Sequence, residues 1–366
     1  MEKAKISVIQ LFALMFIFEL GTALVVSYGV TAGKEAWLAT LFGLCGGIVL
    51  FFIHYYVMRQ YPNLPLTGYA RKIFGNYIGW TIGLLYVTYF LYIAARNLRE
   101  FGDLLISSTL PNTPALAVNI LMILAVCYVL YLGIEVVARS AEVFIIILIL
   151  LGVAGNLAVL FSGYVDFHQL QPFLENGWKP VFTTAFPRII AFPFGEMIVF
   201  TMLYPYLNRS EAVKKVWLSA IISSGLILSY TTALNIAVLG VENVERSTFP
   251  LLSTIGKVNL FDFIQRLDVI VVFTLLLTVF FKAIIYFYCA VIGMADLFKL
   301  NFRHVVFPTG VILLILSMAI ASNFVEHSEE GRFIIPYYLH STFLISLPLL
   351  MLLVVLVRSR LMNKTN

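Results

Sequence analysis

The chain has 366 residues, of which 61% are hydrophobic and only 12% are charged, and its formal net charge is +5. A soluble domain has about 25% charged residues, so this composition argues against a soluble enzyme, a secreted disulfide scaffold, a disordered tail and a nucleic-acid binder. The basic residues lie between apolar segments, a pattern that orients membrane proteins and is not typical of nucleic-acid binding. The sequence therefore predicts an all-α integral membrane protein that forms a single transmembrane domain over residues 1–366.

Ten stretches are long and apolar enough to cross a hydrocarbon layer of about 30 Å. They are Val8–Tyr28, Trp37–Met58, Tyr77–Ser107, Ala115–Gly133, Ala141–Gly163, Phe182–Tyr206, Val213–Gly240, Asp268–Leu297, Val305–Asn323 and Ile335–Val357. Glu19 interrupts the first stretch, and no small-residue cleavage site follows it, so we expect a retained helix instead of a signal peptide. Lys and Arg are concentrated in the loops on one side, which predicts that the N- and C-termini are both cytoplasmic.

Two connectors are longer than a turn requires, at about residues 61–76 after the second span and 247–265 after the seventh. Each contains a Pro-Leu pair, at Pro65 and Pro250, at the start of an amphipathic stretch. Proline is favoured at the first position of a helix, and amphipathic helices lie in the membrane interface. The pattern predicts one interfacial segment on each side of the membrane.

The ten spans divide into two sets of five, and the two connectors occupy corresponding places in them. An odd number of spans in each set forces the sets into opposite orientations, which is the arrangement of an inverted repeat. We therefore expect a first repeat over about 6–165 and a second over about 180–358. Two unrelated interfacial loops are the alternative.

Helix-breaking and polar residues interrupt the first and sixth spans near mid-membrane. They are Glu19, Gly21 and Thr22 in the first span and Phe192, Pro193, Phe194, Gly195 and Glu196 in the sixth. Pro removes a backbone donor and Gly permits unwinding, so both helices are predicted to be broken. The freed backbone groups cannot face lipid and must face protein, water or a ligand. A simple proline kink is the alternative for the sixth span.

Three ionisable residues lie deep within the predicted spans. The helix dipole favours Glu196 at the start of the second half of the sixth helix and disfavours Glu19 at the end of the first half-helix. Glu19 is therefore protonated, paired with a cation, or facing an amine or ion. Lys282 lies mid-span, about 21 Å of helix from either end, and requires a partner such as Glu19 or Glu196. Lys282 replaces a bound metal cation, contacts a carboxylate of the ligand, or forms a purely structural ion pair.

One face of the third span carries four charged residues at helical spacing, namely Arg96, Arg99, Glu100 and Asp103. The spacing allows the pairs Arg96/Glu100 and Arg99/Asp103 to neutralise each other. We expect a structural charge network or a subunit contact here in preference to a ligand site. The five histidines are scattered, and the sequence contains no catalytic, metal-binding or cofactor-binding motif, so neither an enzyme nor a cofactor is expected.

Several segments together resemble the B subunit of bacterial spore germinant receptors, a family of the amino acid–polyamine–organocation transporter superfamily. They are Leu20-Gly21-Thr22-Ala23, Leu110-Pro111-Asn112-Thr113-Pro114, Leu170-Gln171-Pro172-Phe173-Leu174-Glu175-Asn176-Gly177, Phe192-Pro193-Phe194-Gly195-Glu196 and Ile264-Gln265-Arg266-Leu267-Asp268. The resemblance covers essentially the whole chain. It implies a ten-helix LeuT-type fold that holds a small nutrient germinant between the unwound parts of the first and sixth helices and the eighth helix. It also implies a complex with an A-type membrane subunit and a C-type lipoprotein, in the inner membrane of a spore.

The expected function is that of a nutrient-sensing receptor subunit, with an amino acid as the expected nutrient, that triggers germination. The candidate ligand-binding residues are Glu19, Gly21, Thr22, Phe192, Phe194, Gly195, Glu196 and Lys282. A proton- or cation-coupled amino acid transporter is the alternative, because such a transporter shares these features. A scaffold or pore-forming partner without a working pocket, using the charged face of the third span as its main interface, is a third hypothesis.

Overall fold

The computed structural model describes residues 5–25, 29–258 and 268–362, and this part of the chain is almost entirely helical. The α-helices are α1 (Val8–Val25), α2 (Ala36–Arg59), α3 (Leu66–Phe74), α4 (Asn76–Ser108), α5 (Ala115–Leu132), α6 (Ile134–Phe161), α7 (Trp178–Thr184), α8 (Val213–Leu239), α9 (Val241–Arg246), α10 (Pro250–Gly256), α11 (Asp268–Phe298), α12 (Phe302–Ala319), α13 (Phe324–Glu329) and α14 (Leu347–Met362). The described residues contain 9 helices long and apolar enough to cross a membrane, and α1 contributes a shorter apolar helix, Val8–Leu24. The predicted all-α architecture with ten apolar helical segments is confirmed, while the last positions predicted for the first span, 26–28, lie outside the described residues.

The first and sixth spans are both broken, as predicted. In α1 the backbone leaves helical geometry at Gly21, with φ 2° and ψ −127°. The sixth span begins with α7, continues as a π-helix over Ala185–Ile189 and resumes as a 3-10 helix over Phe194–Met202. A turn at positions 192–193 separates these two parts. The interruption is therefore a change of helix type across a turn, and a simple proline kink does not describe it.

Short helices occupy both long connectors. Pro65 precedes α3, which buries a face containing Leu66 and Tyr69, and Pro250 is the first residue of α10. Positions 259–265 of the second connector lie outside the described residues. The interfacial location of these connectors and the bounds of the two repeats stay predictions.

Glycines at two helix junctions allow the chain to turn without a long loop. Gly75 has φ 86° between α3 and α4, and Gly133 has φ 108° between α5 and α6. Such positive φ values are strained for residues that carry a Cβ. These junctions set the directions in which α4 and α6 begin. The helix α4 packs against α11, and α6 packs against α1 and α11.

The centre of the molecule is formed by α1 and α11. The helix α11 packs against α4 and α1, and α1 also packs against α8 and α6. Residues 281–293 of α11 and residues 13–22 of α1 are buried without interruption. Neither helix therefore exposes a side to lipid at this level, and the break at Gly21 lies against the middle of α11.

Candidate functional site

A buried ion pair joins the eighth span to the sixth span beside the break in α1. Lys282 Nζ lies 2.5 Å from Glu196 Oε2, and both side chains are 1% exposed. The hydroxyl of Tyr286 donates a hydrogen bond of 2.7 Å to Glu196 Oε1. Lys282 Nζ also lies 4.3 Å from the ring centroid of Phe192, a cation–π contact that further stabilises a buried ammonium. Of the two acids expected as partners for Lys282, the structure therefore pairs it with Glu196.

The stem of Lys282 lies directly against the broken part of α1. A Cβ atom built on Gly21 would be 2.6 Å from Lys282 Cδ, a distance that real side chains do not tolerate. A residue without a side chain at position 21 thus allows the lysine to pass the break and reach Glu196. The ion pair and the break are one packed unit.

Glu19 is fully buried two residues before the break. Within the described part of the chain, neither of its carboxylate oxygens accepts a hydrogen bond. Among the described residues, no basic group forms an ion pair with Glu19. Lys282, the expected partner, pairs with Glu196 instead. A buried ionised carboxylate without a partner is strongly unfavourable. Of the predicted alternatives for Glu19, pairing with a cation of the protein is therefore not observed among these residues.

A small cavity of about 40 Å³ extends from the ion pair toward the segment that connects the ninth and tenth spans. This volume is space for on the order of three water molecules. Its lining comes from α1, α4, the sixth span, α11, the segment that connects the ninth and tenth spans, and the first part of the tenth span. The lining residues are Thr22, Ile93, Arg96, Asn97, Glu100, Phe192, Glu196, Lys282, Phe324, His327, Ser328, Gly331, Ile335 and His340.

The candidate residues divide into three groups in the structure. Thr22, Phe192, Glu196 and Lys282 line the cavity, whereas Glu19 and Gly21 are buried and do not line it. Phe194 and Gly195 do not line it. The ring of Phe194 packs against Gly47 of α2 and Gly225 of α8, and Gly195 faces Leu344 and Leu50. Phe194 and Gly195 therefore hold the second part of the sixth span in place.

The charged face of α4 reaches the same cavity, which the sequence did not predict. Arg99 Nε lies 3.0 Å from Asp103 Oδ2, as expected from the spacing. Arg96 does not pair with Glu100. Instead, Arg96 Nη1 lies 3.1 Å from Glu330 Oε2, and Arg96 Nη2 donates a hydrogen bond of 2.6 Å to the carbonyl oxygen of His327. The long side chain of Arg96 reaches across to the segment around α13, a tertiary contact that helical spacing cannot reveal.

His327 belongs to α13, between the ninth and tenth spans. Burial and, to a smaller extent, the nearby charges of Arg96 and Arg99 lower the pKa of His327 to about 3. The imidazole is therefore neutral at physiological pH and does not repel the Arg96 guanidinium that its own carbonyl oxygen binds.

Two further polar residues line the cavity and were missed by the sequence reasoning. The amide nitrogen of Asn97 donates to the carbonyl oxygen of Ile93 at 2.8 Å, and its oxygen accepts a hydrogen bond of 2.8 Å from the hydroxyl of Thr22. His340 Nδ1 lies 2.7 Å from the hydroxyl of Tyr89. Asn97 and His340 are polar residues within apolar spans, and the same feature drew attention to Lys282 in the sequence.

A comparison with family models decides the identity of the chain. The model described as "Spore germination protein" matches residues 5–325. The chain belongs to the spore germination protein family. The resemblance read from the sequence is thereby confirmed.

Curated relatives support the same family over nearly the whole chain. Spore germination protein KB of Bacillus subtilis (strain 168) is 41% identical over 355 residues, which cover 97% of this chain and 95% of the relative. Spore germination protein YndE of the same organism is 25% identical over 78% of each chain. Together with the apolar helices, this family assignment identifies a multi-pass membrane protein related to germination proteins.

Solved structures with the same fold are transporters. Mhp1, a nucleobase-cation-symport-1 family transporter in a closed conformation with bromovinylhydantoin bound, superposes with a TM-score of 0.73 at 13% identity, over 96% of this chain and 78% of Mhp1. MhsT in complex with L-phenylalanine superposes with a TM-score of 0.68 at 16% identity, over 94% of this chain and 87% of MhsT. These likenesses confirm the LeuT-type fold of inverted five-helix repeats with broken first and sixth helices.

Proposed function

We propose that the chain is the nutrient-sensing subunit of a spore germinant receptor and that it binds a small nutrient, with an amino acid as the first candidate, in the cavity beside Lys282. The observation that carries this proposal is the buried Lys282–Glu196 pair, which lines a cavity at the break in α1. A germination protein with a transporter fold and charged groups at its broken helices has the components of a ligand-dependent switch.

The small size of the cavity implies that binding of a larger nutrient changes the structure. Space for on the order of three water molecules is less than most amino acids occupy, so the cavity must enlarge around a ligand larger than that. A ligand shifts a conformational equilibrium only by its difference in affinity for the two states, and a shift from 1:99 to 99:1 requires about 5.5 kcal/mol. Germination would then follow from a shift toward the enlarged conformation.

The partners follow from the same proposal. As a receptor subunit, the chain assembles with an A-type membrane subunit and a C-type lipoprotein in the inner membrane of the spore, and both of its termini face the cytoplasm. Co-purification of these two subunits from spore membranes with the tagged chain tests the assembly, and recovery of the chain alone would contradict it.

A germination dose–response experiment tests the nutrient site. Spores that carry Lys282→Ala are expected to require at least tenfold more nutrient, or to fail to respond, at an unchanged level of the protein. Lys34→Ala is the matched control, because it removes an ion pair with Glu175 whose side chains are 28% and 51% exposed. An unchanged dose–response curve for Lys282→Ala would remove Lys282 from the site.

A further inference from the structure

The charges around the cavity do not balance. Both Lys and Arg side chains that line the cavity have an acidic partner: Lys282 pairs with Glu196 and Arg96 with Glu330. Arg99, on the same face of α4 as Arg96, pairs with Asp103. This set is completed by two further acids, Glu19 and Glu100, neither of which has an ion-pair partner among the described residues. His327 is neutral and adds no positive charge. The lining residues and their named partners therefore carry more carboxylates than basic groups.

Glu100 is the excess acid that lines the cavity. The residue is only 6% exposed and lines the cavity beside Thr22 and Asn97. Glu19, in contrast, is fully buried and does not line the cavity. A ligand that enters the cavity thus meets the carboxylate of Glu100 and not that of Glu19.

The neighbours of Glu100 offer acceptor oxygens beside its carboxylate, because one amide N–H of Asn97 and the hydroxyl proton of Thr22 are already engaged. The amide nitrogen of Asn97 donates to the carbonyl oxygen of Ile93, and the hydroxyl of Thr22 donates to Asn97 Oδ1. The lone pairs that are left on the Thr22 hydroxyl and on Asn97 Oδ1 accept hydrogen bonds. We call Thr22, Asn97 and Glu100 the acceptor wall.

We propose that the acceptor wall binds a positively charged ammonium group of the ligand, with Glu100 as the counter-ion. This inference rests on the proposed function and adds the class of ligand: an organic amine or an amino acid whose ammonium group faces α4. An ammonium group has only donors, so it matches the acceptor oxygens of Glu100, Thr22 and Asn97. Its size also suits the small cavity, whereas the remainder of a larger ligand requires the cavity to enlarge.

Other ligand classes fit the wall less well. A carboxylate would approach Glu100 with no free basic group to offset the repulsion, since Lys282 and Arg96 are already paired. A neutral hydroxyl compound brings no positive charge to offset a buried carboxylate at Glu100. Charge and hydrogen-bonding capacity therefore select the same class.

Thermal unfolding of the full-length chain in lipid nanodiscs tests the proposal with three probes of similar size at equal ionic strength. Ethylammonium chloride is expected to raise the melting temperature in a concentration-dependent way, whereas sodium acetate and ethanol are expected to have little effect. Glu100→Gln is expected to raise the apparent dissociation constant for ethylammonium at least tenfold. The control Glu142→Gln makes the same chemical change at a residue outside the cavity, where Gln10 donates to the carboxylate, and should leave ethylammonium binding unchanged.

Several outcomes would overturn the proposal. They are no stabilisation by ethylammonium, equal stabilisation by acetate, and undiminished ethylammonium binding by Glu100→Gln. If Glu100→Gln does not fold, Thr22→Val provides the same test, because it removes an acceptor hydroxyl but keeps the shape of the side chain. Germination dose–response curves of the two variants separate this proposal from the proposed function. A nutrient response that is lost in Lys282→Ala but kept in Glu100→Gln contradicts only the ammonium site.

Discussion

Lys282 connects three elements through one side chain, because its stem packs against Gly21 while its ammonium group binds Glu196 and contacts Phe192. Its burial and its need for a partner could be predicted from its position in the eighth span. The choice of Glu196 over Glu19 could not, because it depends on how the sixth span resumes after its break. Tyr286, one turn along α11, donates to the same carboxylate and helps to fix it.

Removal of this lysine should destabilise the protein as well as alter its response. Lys282→Ala leaves Glu196 buried without its cation, and the loss of one partner of a buried pair lowers the free energy of unfolding by about 3–5 kcal/mol. The double variant Lys282→Met with Glu196→Gln removes both charges and should recover most of that loss. Denaturant unfolding of the chain in nanodiscs measures both values, and equal stabilities of the single and double variants would contradict the pairing.

Gly21 allows a close approach that a methyl group would prevent. Gly21→Ala places a Cβ 2.6 Å from Lys282 Cδ, so we expect a loss of about 1–3 kcal/mol in the free energy of unfolding together with a weakened nutrient response. Gly152→Ala in α6 is the control, since nothing lies within 4 Å of a Cβ built there. If both variants unfold at the same denaturant concentration, the lysine stem does not pack against the break as described.

At the scale of elements, Arg96 connects α4 to the segment of α13 and the π-helix Glu330–Ile334. We expect Arg96→Ala to weaken this segment by about 1–2 kcal/mol, because charge-assisted hydrogen bonds to His327 and Glu330 are lost. Amide hydrogen exchange over residues 324–334 should accelerate about tenfold or more, since it reports such local opening.

Arg139→Ala is the matched control for this experiment. It removes an ion pair with Glu135 in which Arg139 is 72% exposed, and it should leave exchange at 324–334 unchanged. The same exchange rate in Arg96→Ala and in the unaltered chain would show that Arg96 does not hold the segment. If Arg96→Ala instead loses its partner subunits but keeps its nutrient preference, the result would favour the scaffold hypothesis.

The sequence predicted the elements better than their contacts. Span positions follow from apolar length, and the breaks at Gly21 and around Pro193 follow from backbone chemistry, so both could be found before the structure. The location of the α4 charges at the cavity could not be predicted, because it results from the packing of α4 between α11 and the α13 segment. Phe194 illustrates the converse: it lies in the predicted motif, but it packs against glycines of α2 and α8 instead of the cavity.

For the whole molecule, the structure is that of a transporter fold in a family of germination proteins. If the chain is a sensor, proteoliposomes of the purified protein should not accumulate labelled amino acid when a proton or sodium gradient is imposed, although the nutrient still raises the melting temperature of the protein. Accumulation that the gradient drives and that Lys282→Ala abolishes would support a coupled transporter instead. Empty liposomes provide the background.

An experimental map of the full-length chain with and without its nutrient tests the central claim most directly. Cryo-electron microscopy in nanodiscs should show α1 interrupted at Gly21 and the sixth span interrupted before Phe194. Density for the added nutrient should be bounded by Thr22, Phe192 and Lys282. Continuous helices at both positions, with leucine side chains or lipid filling the space between them, would contradict the account.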